Sequence, residues 1–183
     1  AKNSIKYSLK HKVLFYISIM SFISAIIFIF SSSISWTPLL KSFNFSDANF
    51  GYIWSASGIA GVIAPLIANK IARKQQKKIL MLVAFLLFIT NSIVLFANSL
   101  NSLVVLLLIS LFIFDFEAPI WRTYNHKFMP SKMRATIGSV QNMLVSLAGI
   151  LALPLAGLLI DKIGAKTIIF ISGLLMLPVV LLF

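Results

Sequence analysis

Six long apolar stretches, separated by short polar breaks, dominate the pattern of hydrophobic and polar positions along the chain. A membrane-spanning helix needs about 20 mostly apolar residues to cross about 30 Å of hydrocarbon. The breaks are rich in Ser, Asn, Pro, Lys and Arg, which are typical of loops and helix ends. Before the second stretch, Asn44 and Ser46 are both suited to cap a helix N-terminus. The pattern predicts an all-α, polytopic membrane protein whose six transmembrane helices cover residues 13–34, 50–68, 79–97, 103–121, 137–160 and 167–183.

The composition supports a lipid environment. Of the 183 residues, 60% are hydrophobic and 11% are charged. A soluble domain of this length cannot bury so much apolar surface, because the buried fraction is limited by chain size. The absence of cysteine excludes disulfides and thiolate chemistry. The sequence also contains no metal-ligand cluster, phosphate-binding loop or metalloprotease motif, so we expect neither an enzyme nor a bound metal or cofactor.

The net charge of +12 is explained by topology. If the N-terminus is cytoplasmic, thirteen of the sixteen Lys and Arg residues lie in cytoplasmic segments, and only Lys41, Lys162 and Lys166 lie outside. This asymmetry follows the positive-inside rule. It predicts a multi-pass protein of the cell membrane with a cytoplasmic N-terminus and no nucleic-acid partner. The abundance of Lys, Asn, Ile, Ser and Phe indicates an AT-rich bacterial genome.

An internal repeat divides the chain into two halves. The segment PLIANKIARK (65–74) aligns with GLLIDKIGAK (157–166) at a constant offset of 92 residues. Each segment closes the second span of a trio, but one is expected on the cytoplasmic side of the membrane and the other on the outer side. The two trios, about residues 12–97 and 102–183, are therefore predicted to be inverted repeats, a plan known from secondary transporters.

Two further motifs resemble those of the major facilitator superfamily. The segment MPSKMRATIGSVQNM (129–143) is similar to the P-x-x-x-R-A-T-x-x-S junction between the tenth and eleventh spans of many bacterial members. The matching residues are Pro130, Arg134, Ala135, Thr136 and Ser139. After it, Gly157, Asp161 and Gly164 resemble the G-x-x-x-D-x-x-G end of span eleven.

The loop after the second span resembles a degenerate copy of the family's cytoplasmic motif G-x-x-x-D-R-x-G-R-R. Asn69 stands at the Asp position and Lys70 at the Arg position, while Arg73 and Lys74 match the closing basic pair. Pro65 and Ala72 replace the two glycines, and the lost carboxylate puts the motif's charge-relay role in doubt. With Arg122 and Arg134, these four residues are the candidates for a cytoplasmic gate.

The resemblance implies spans seven to twelve, the C-terminal half of such a transporter, because a basic stretch precedes the first span as the family's central loop does. The chain starts at Ala1 and stops inside an apolar run, so we expect a longer protein with an N-terminal six-helix half. The implied function is alternating access, with proton-coupled export of drug-like or amphipathic small molecules. The alternative is uptake of a sugar, peptide or other metabolite. More distant alternatives are a structural membrane protein and a membrane-embedded enzyme acting on lipid.

The acids Asp115 and Glu117 lie in one of the most apolar runs of the chain. An acid at the bilayer centre costs about 2.5–3.5 kcal/mol on insertion scales, so neither is expected to face lipid. At 100° per residue they point about 200° apart, so at most one can look squarely into a cavity. Each is a candidate for the substrate or proton path. The alternative, favoured for both, is an ion pair with Arg122, Arg134 or His126.

Uncharged polar residues supply further candidates. A serine stripe in the first span, including Ser21, Ser24 and Ser31, follows one helical face and favours either close packing or a wet cavity equally. In the fifth span, Gln141 and Asn142 are expected near the cytoplasmic end. Helix–helix hydrogen bonding is the favoured interpretation of this pair, and contact with substrate, for which Asn142 is a candidate, is the alternative.

Overall fold

The computed structural model of the protein describes residues 12–72 and 75–182, with side chains for 14–72 and 75–179. All regular elements in these ranges are helical, which confirms the predicted all-α class. Two short 3-10 turns, Val94–Phe96 and Ser131–Met133, join longer helices. The α-helices are α1 (Lys12–Phe30), α2 (Ser33–Lys41), α3 (Asp47–Ile71), α4 (Gln76–Ile93), α5 (Leu100–His126), α6 (Arg134–Ile163) and α7 (Ala165–Leu182).

The helices have the length and surface of membrane spans. Five helical stretches are long and apolar enough to cross a membrane, and a sixth apolar stretch, Ala165–Val179, is shorter within the described residues. Large apolar side chains such as Val62, Leu66 and Ile150 are more than half exposed on the outside of the bundle. Such surfaces are stable in lipid but not in water. The chain is therefore a multi-pass membrane protein.

The first span differs from the prediction, because it consists of two helices. The sequence predicts one span that ends near residue 34, whereas α1 ends at Phe30 and α2 continues to Lys41. The hydroxyls of Ser31 and Ser32 donate to the carbonyls of Ile27 (3.1 Å) and Ile29 (2.8 Å). Serine hydroxyls compete for helical carbonyls in this way, and Ser32 adopts an extended backbone. The consecutive serines thus separate α1 from α2.

The turn before α3 confirms one predicted cap and corrects the other. The Ser46 hydroxyl accepts a hydrogen bond from the Asn49 backbone N–H at 3.4 Å, as an N-cap should. Asn44 instead has φ 59°, in the left-handed region. Asn tolerates this conformation better than most residues, so Asn44 reverses the chain after α2 rather than capping α3.

The three most extensive contacts between helices are related by exchange of the two trios. The helices α1 and α6 pack together, α3 packs against α5, and α4 packs against α7. Exchange of α1 with α5, α3 with α6 and α4 with α7 converts the contact between α1 and α6 into the contact between α5 and α3. The contact between α4 and α7 is unchanged by this exchange. The predicted inverted repeats would produce this exchange of contacts.

A buried polar network, formed by Asn91, Ser110 and Ser172, connects the supporting helices. The Asn91 amide donates to the Ser172 hydroxyl at 3.0 Å, and the Ser110 hydroxyl donates to the Asn91 oxygen at 3.5 Å. Gly173 allows α4 and α7 to approach, because a Cβ there would lie 3.0 Å from the Asn91 Cβ. The network joins α4, α5 and α7 within the bundle.

Candidate functional site

An open cavity of about 920 Å³ lies between α1, α5 and α6. Pockets that bind drug-sized ligands fall in the range of about 300–1,000 Å³. Its wall includes apolar side chains from α1 and α5, together with Val145 of α6 and Met176 of α7. Of the residues that the sequence predicts for the site, the wall contains Ser21, Ser24, Asp115, Glu117, Arg122 and Asn142.

The two acids flank the part of α5 that faces the cavity. With 3.6 residues per turn, Asp115 lies about 60° to one side of Ala118 and Glu117 about 100° to the other. Ala118 and Asn125 occupy the middle of this face, and all four residues belong to the cavity wall. Neither acid looks squarely into the cavity, but the lining surface is wide enough to include both.

Asp115 lies where α5 meets α3. Its carboxylate oxygen Oδ2 is 3.6 Å from the position that a Cβ would occupy on Gly61. Residue 61 therefore presents no side chain to this carboxylate. Gly61 and Ser57 fit the small-residue pattern that favours close packing of membrane helices.

Glu117 lies on the opposite flank, beside aromatic side chains. Trp121, one turn further along α5, packs against a buried apolar cluster that includes Leu87 of α4 and Met176 of α7. In the cavity wall, Phe28 of α1 meets Phe114 of α5 edge to face, with ring centroids 5.0 Å apart. The carboxylate of Glu117 is thus placed on a side of α5 that is otherwise apolar.

The ion pairs favoured by the sequence for these acids are not found. Among the residues that the structure describes, the one ion pair joins Lys41 and Asp47 at 2.8 Å, in the turn between α2 and α3. Arg122 is seven residues beyond Asp115, about 10 Å along the helix axis, which is too far for direct pairing. Arg134 instead donates to the backbone oxygen of His126 at 3.5 Å. The acids therefore lack a cationic partner within the described part of the chain.

A pair of amides joins α5 to α6 in the same wall. The Asn125 amide donates to the Gln141 oxygen at 2.7 Å, and the Gln141 amide donates back at 3.4 Å. Both side chains are buried. The favoured interpretation of Gln141 as a helix–helix contact is confirmed. Its neighbour Asn142 is exposed in the cavity wall, so the two residues have different surroundings.

The serine stripe is divided between the cavity and the break in the first span. Ser21 and Ser24 line the cavity, and the Ser21 hydroxyl donates to the Ile17 carbonyl at 2.9 Å. Ser31 is buried at the end of α1 and is not part of the cavity wall. Only the N-terminal part of the stripe therefore belongs to the site.

The candidate gate residues are dispersed. Asn69 and Lys70 are exposed in the last turn of α3 and do not line the cavity, and Arg134 is exposed at the start of α6. Arg122 and His126 lie in the cavity wall. The predicted positions Arg73 and Lys74 lie outside the described residues.

Several residues of the site are missing from the sequence-based candidates. Phe114 and Met176 are ordinary apolar residues of a span, so no pattern separates them from lipid-facing positions, whereas Phe28 lies on the helical face of the serine stripe. Asn125 carries a signal, because it shares a helical stripe with Asp115 and Ala118. Gly61 is recognisable as a small packing residue, but its contact with Asp115 depends on the packing of α3 against α5.

Comparison with known proteins identifies the family of this chain. Neither the curated proteins nor the solved structures contain a significant match to this chain. The family model described as Major Facilitator Superfamily matches residues 2–153, which include α1 to α5 and most of α6. The chain therefore belongs to the Major Facilitator Superfamily of membrane transporters.

Proposed function

We propose that this chain is the C-terminal half of a proton-coupled exporter of drug-like or amphipathic small molecules. The partner is an N-terminal six-helix half of the same protein, and the two halves rock about a site near the membrane midplane. The protein lies in a bacterial plasma membrane with the N-terminus of this chain in the cytoplasm. The distribution of Lys and Arg supports this orientation.

The observation that carries the proposal is the pair of acids in the cavity wall without a cationic partner among the described residues. A charged carboxylate within a membrane is costly and is found where it binds an ion, a proton or a substrate. Asp115 and Glu117 border a cavity of ligand size rather than an ion-pair network. Glu117, beside apolar and aromatic side chains, is the proposed proton-carrying group.

The cavity wall supports an amphipathic substrate. Phe28 and Phe114 supply apolar contact area, whereas Asn142 supplies an exposed amide group. Cavities of this mixed kind favour molecules with an apolar body and a few polar groups. A sugar, by contrast, needs many hydrogen-bond partners in its site.

The test is transport by the full-length protein in proteoliposomes that contain a pH-sensitive dye. We expect a drug-like compound to move against its gradient when a proton gradient is imposed, and an uncoupler to abolish this movement. Glu117→Gln is expected to remove the proton coupling. Asp161→Asn is the matched control, because Asp161 is an exposed acid at the end of α6.

Other outcomes decide among the alternatives. Proton-driven accumulation of a sugar or peptide from outside would establish uptake instead of export. Movement that persists in the presence of an uncoupler and in Glu117→Gln would refute proton coupling through this residue. If no compound moves although the protein is folded, a structural role replaces transport.

A further inference from the structure

We propose that Lys166 is a clasp that fixes α2 to α4 and α7, so that α2 moves with these two helices rather than with α1. This inference goes beyond the proposed transport function and does not depend on it. The observation behind it is that the ammonium group of Lys166 contacts two segments that are distant in the sequence, the turn after α2 and the connection after α4.

The ammonium group of Lys166 is held by two oxygens and one aromatic ring. Its Nζ donates to the Ala97 backbone oxygen at 2.5 Å and to the Asn98 side-chain oxygen at 3.2 Å. It also lies 5.5 Å from the centroid of the Phe43 ring, within the range of a cation–π contact. Phe43 belongs to the turn between α2 and α3, and Ala97 and Asn98 follow the 3-10 turn Val94–Phe96. One side chain thus connects the start of α7 with the ends of α2 and α4.

The position of Lys166 in its own helix is unfavourable for a cation. Lys166 is the second residue of α7, and the helix dipole opposes a positive charge in the first turn of a helix. The last carbonyls of a helical segment, in contrast, lack intrahelical partners and attract cations. The Ala97 carbonyl is placed in this way, at the end of the 3-10 turn that follows α4. Lys166 therefore stabilises the end of the α4 segment rather than the start of α7.

The packing around α2 agrees with this role. The extended backbone of Ser32 separates α2 from α1, and among the described helices α2 has its most extensive contact with α7. Trp36 of α2 is buried in one apolar cluster with Ala97 and with Ile169 of α7, and Phe43 packs against the same cluster. The residues that Lys166 contacts through Ala97 and Phe43 therefore belong to one packed unit, which α1 does not share.

Hydrogen exchange in the purified full-length protein measures whether α2 depends on the clasp. In Lys166→Met, we expect the amides of residues 36–45 to exchange about tenfold faster, because hydrogen bonds of a charged group are lost. The amides of α1, α5 and α6 are expected to exchange at unchanged rates. Lys162→Met is the matched control, because it makes the same substitution at an exposed lysine in the last turn of α6. We expect it to leave the exchange of residues 36–45 unchanged.

Two further variants test the geometry of the clasp. Lys166→Arg keeps the positive charge and the N–H donors and can stack on an aromatic ring, so residues 36–45 are expected to exchange slowly again. Phe43→Leu removes the ring but keeps an apolar side chain, and it is expected to accelerate exchange in residues 36–45. Its effect is expected to be smaller when Lys166→Met is already present, because side chains in contact do not act independently.

Trp36 supplies a second measurement that does not depend on exchange. Its side chain is 2% exposed, so its fluorescence reports on the packing of α2. With every other tryptophan replaced by phenylalanine, we expect Lys166→Met to shift the emission to longer wavelength and to increase quenching by acrylamide. Lys162→Met is expected to change neither property.

The outcomes decide the inference in either direction. Faster exchange confined to α2 and its following turn, together with the shift of the Trp36 emission, supports the clasp. Unchanged exchange and emission in a folded Lys166→Met protein overturn it. Faster exchange in all helices also overturns it, because α2 would then not depend on Lys166 selectively. If Lys166→Met does not fold, Phe43→Leu decides by the same two measurements.

Discussion

Two sets of polar side chains lie within the membrane helices, and they are satisfied in different ways. In the polar network, Asn91 bonds to Ser172 and Ser110, and all three side chains are almost completely buried. In the cavity wall, Asp115 and Glu117 carry formal charges but have no ion-pair partner among the described residues. The uncharged polar groups, which cost less to bury in a membrane, are thus paired, whereas the acids, which cost more, are not.

The difference distinguishes polar groups that hold helices together from the acids for which we propose a role in transport. A polar group that is buried between helices must find its partner in the protein, because lipid supplies none. A charged group beside a cavity can be satisfied by water, a proton or a ligand that enters and leaves. The polar network therefore holds helices together, and the acids are available for ligands.

The largest expected effect is a difference in chemical accessibility. The chain contains no cysteine, so single cysteines report on one position each. Ser24→Cys places a thiol in the cavity wall, and Ser172→Cys makes the same substitution in the polar network, where the side chain is 0% exposed. We expect a membrane-impermeant thiol reagent to modify the first in the folded protein and to leave the second intact.

Unfolding in detergent supplies the control, because both thiols must then react to the same extent. Rapid modification of Ser172→Cys in the folded protein would show that water reaches the polar network, and the proposed contrast would be lost. Protection of Ser24→Cys by a transported compound would, in addition, connect the cavity to substrate binding.

The second effect concerns the packing that the polar network requires. A Cβ on Gly173 would lie 3.0 Å from the Asn91 Cβ and 3.2 Å from the Phe88 backbone oxygen. Gly173→Ala is therefore expected to reduce the free energy of unfolding by about 1–3 kcal/mol, as overpacking does. Gly157→Ala, where nothing lies within 4 Å, is expected to have little effect. Equal melting temperatures for the two variants would show that α4 and α7 separate easily.

The third effect compares the two polar sets by stability. Asn91→Leu leaves the hydroxyls of Ser172 and Ser110 without this partner, and we expect a loss of about 1–2 kcal/mol. Asp115→Asn removes a charge that has no described cationic partner, so it is expected to leave the melting temperature unchanged or higher. A strong destabilisation by Asp115→Asn would indicate that this acid has a structural partner elsewhere.

Much of the fold is predictable from the sequence, because the membrane imposes a simple rule on helix length and polarity. The hydropathy pattern places the spans, and Ser46 marks the start of α3. The continuation of the first span into α2 was not predicted. Pro38 and its polar neighbours resemble a loop in the sequence, and burial of Trp36 and Leu40 against other helices is what stabilises that segment.

The site is predictable only where a residue is unusual for its surroundings. Asp115 and Glu117 stand out because acids are rare in apolar spans, and both line the cavity. Asn91 is equally unusual, but its partner Ser172 is 81 residues away, so no local pattern reveals the bond. Phe114 is not recognisable for the opposite reason, since a phenylalanine in an apolar span is an ordinary residue there.

The fourth effect concerns the amide pair Asn125–Gln141, which is paired like the polar network but lies in the cavity wall. A double-mutant cycle with Asn125→Ala and Gln141→Ala is expected to give a coupling energy of about 0.6 kcal/mol, and at most about 1.7. Thermal or denaturant unfolding of the four proteins supplies the values. A coupling near zero would mean that cavity water replaces the bond, and the pair would then belong with the unpaired acids.

The smallest effect is expected for the exposed ion pair between Lys41 and Asp47, which completes the comparison between charges in water and charges in the membrane. Both side chains are more than half exposed, and exposed pairs of this kind contribute about 0–1 kcal/mol.

Asp47→Asn is therefore expected to change the melting temperature little at low salt and not at all at high salt, where screening removes the attraction. Asp161→Asn serves as the control for removal of an exposed acid. Destabilisation that survives high salt would contradict this expectation, because salt screens both the ion pair and the interaction of Asp47 with the helix dipole of α3. A small change in stability on loss of this ion pair would contrast with a large loss of transport on removal of Glu117, which has no described cationic partner. Together these results would show that the presence of an ion pair predicts neither stability nor function. The solvent around each charge would then be the deciding factor.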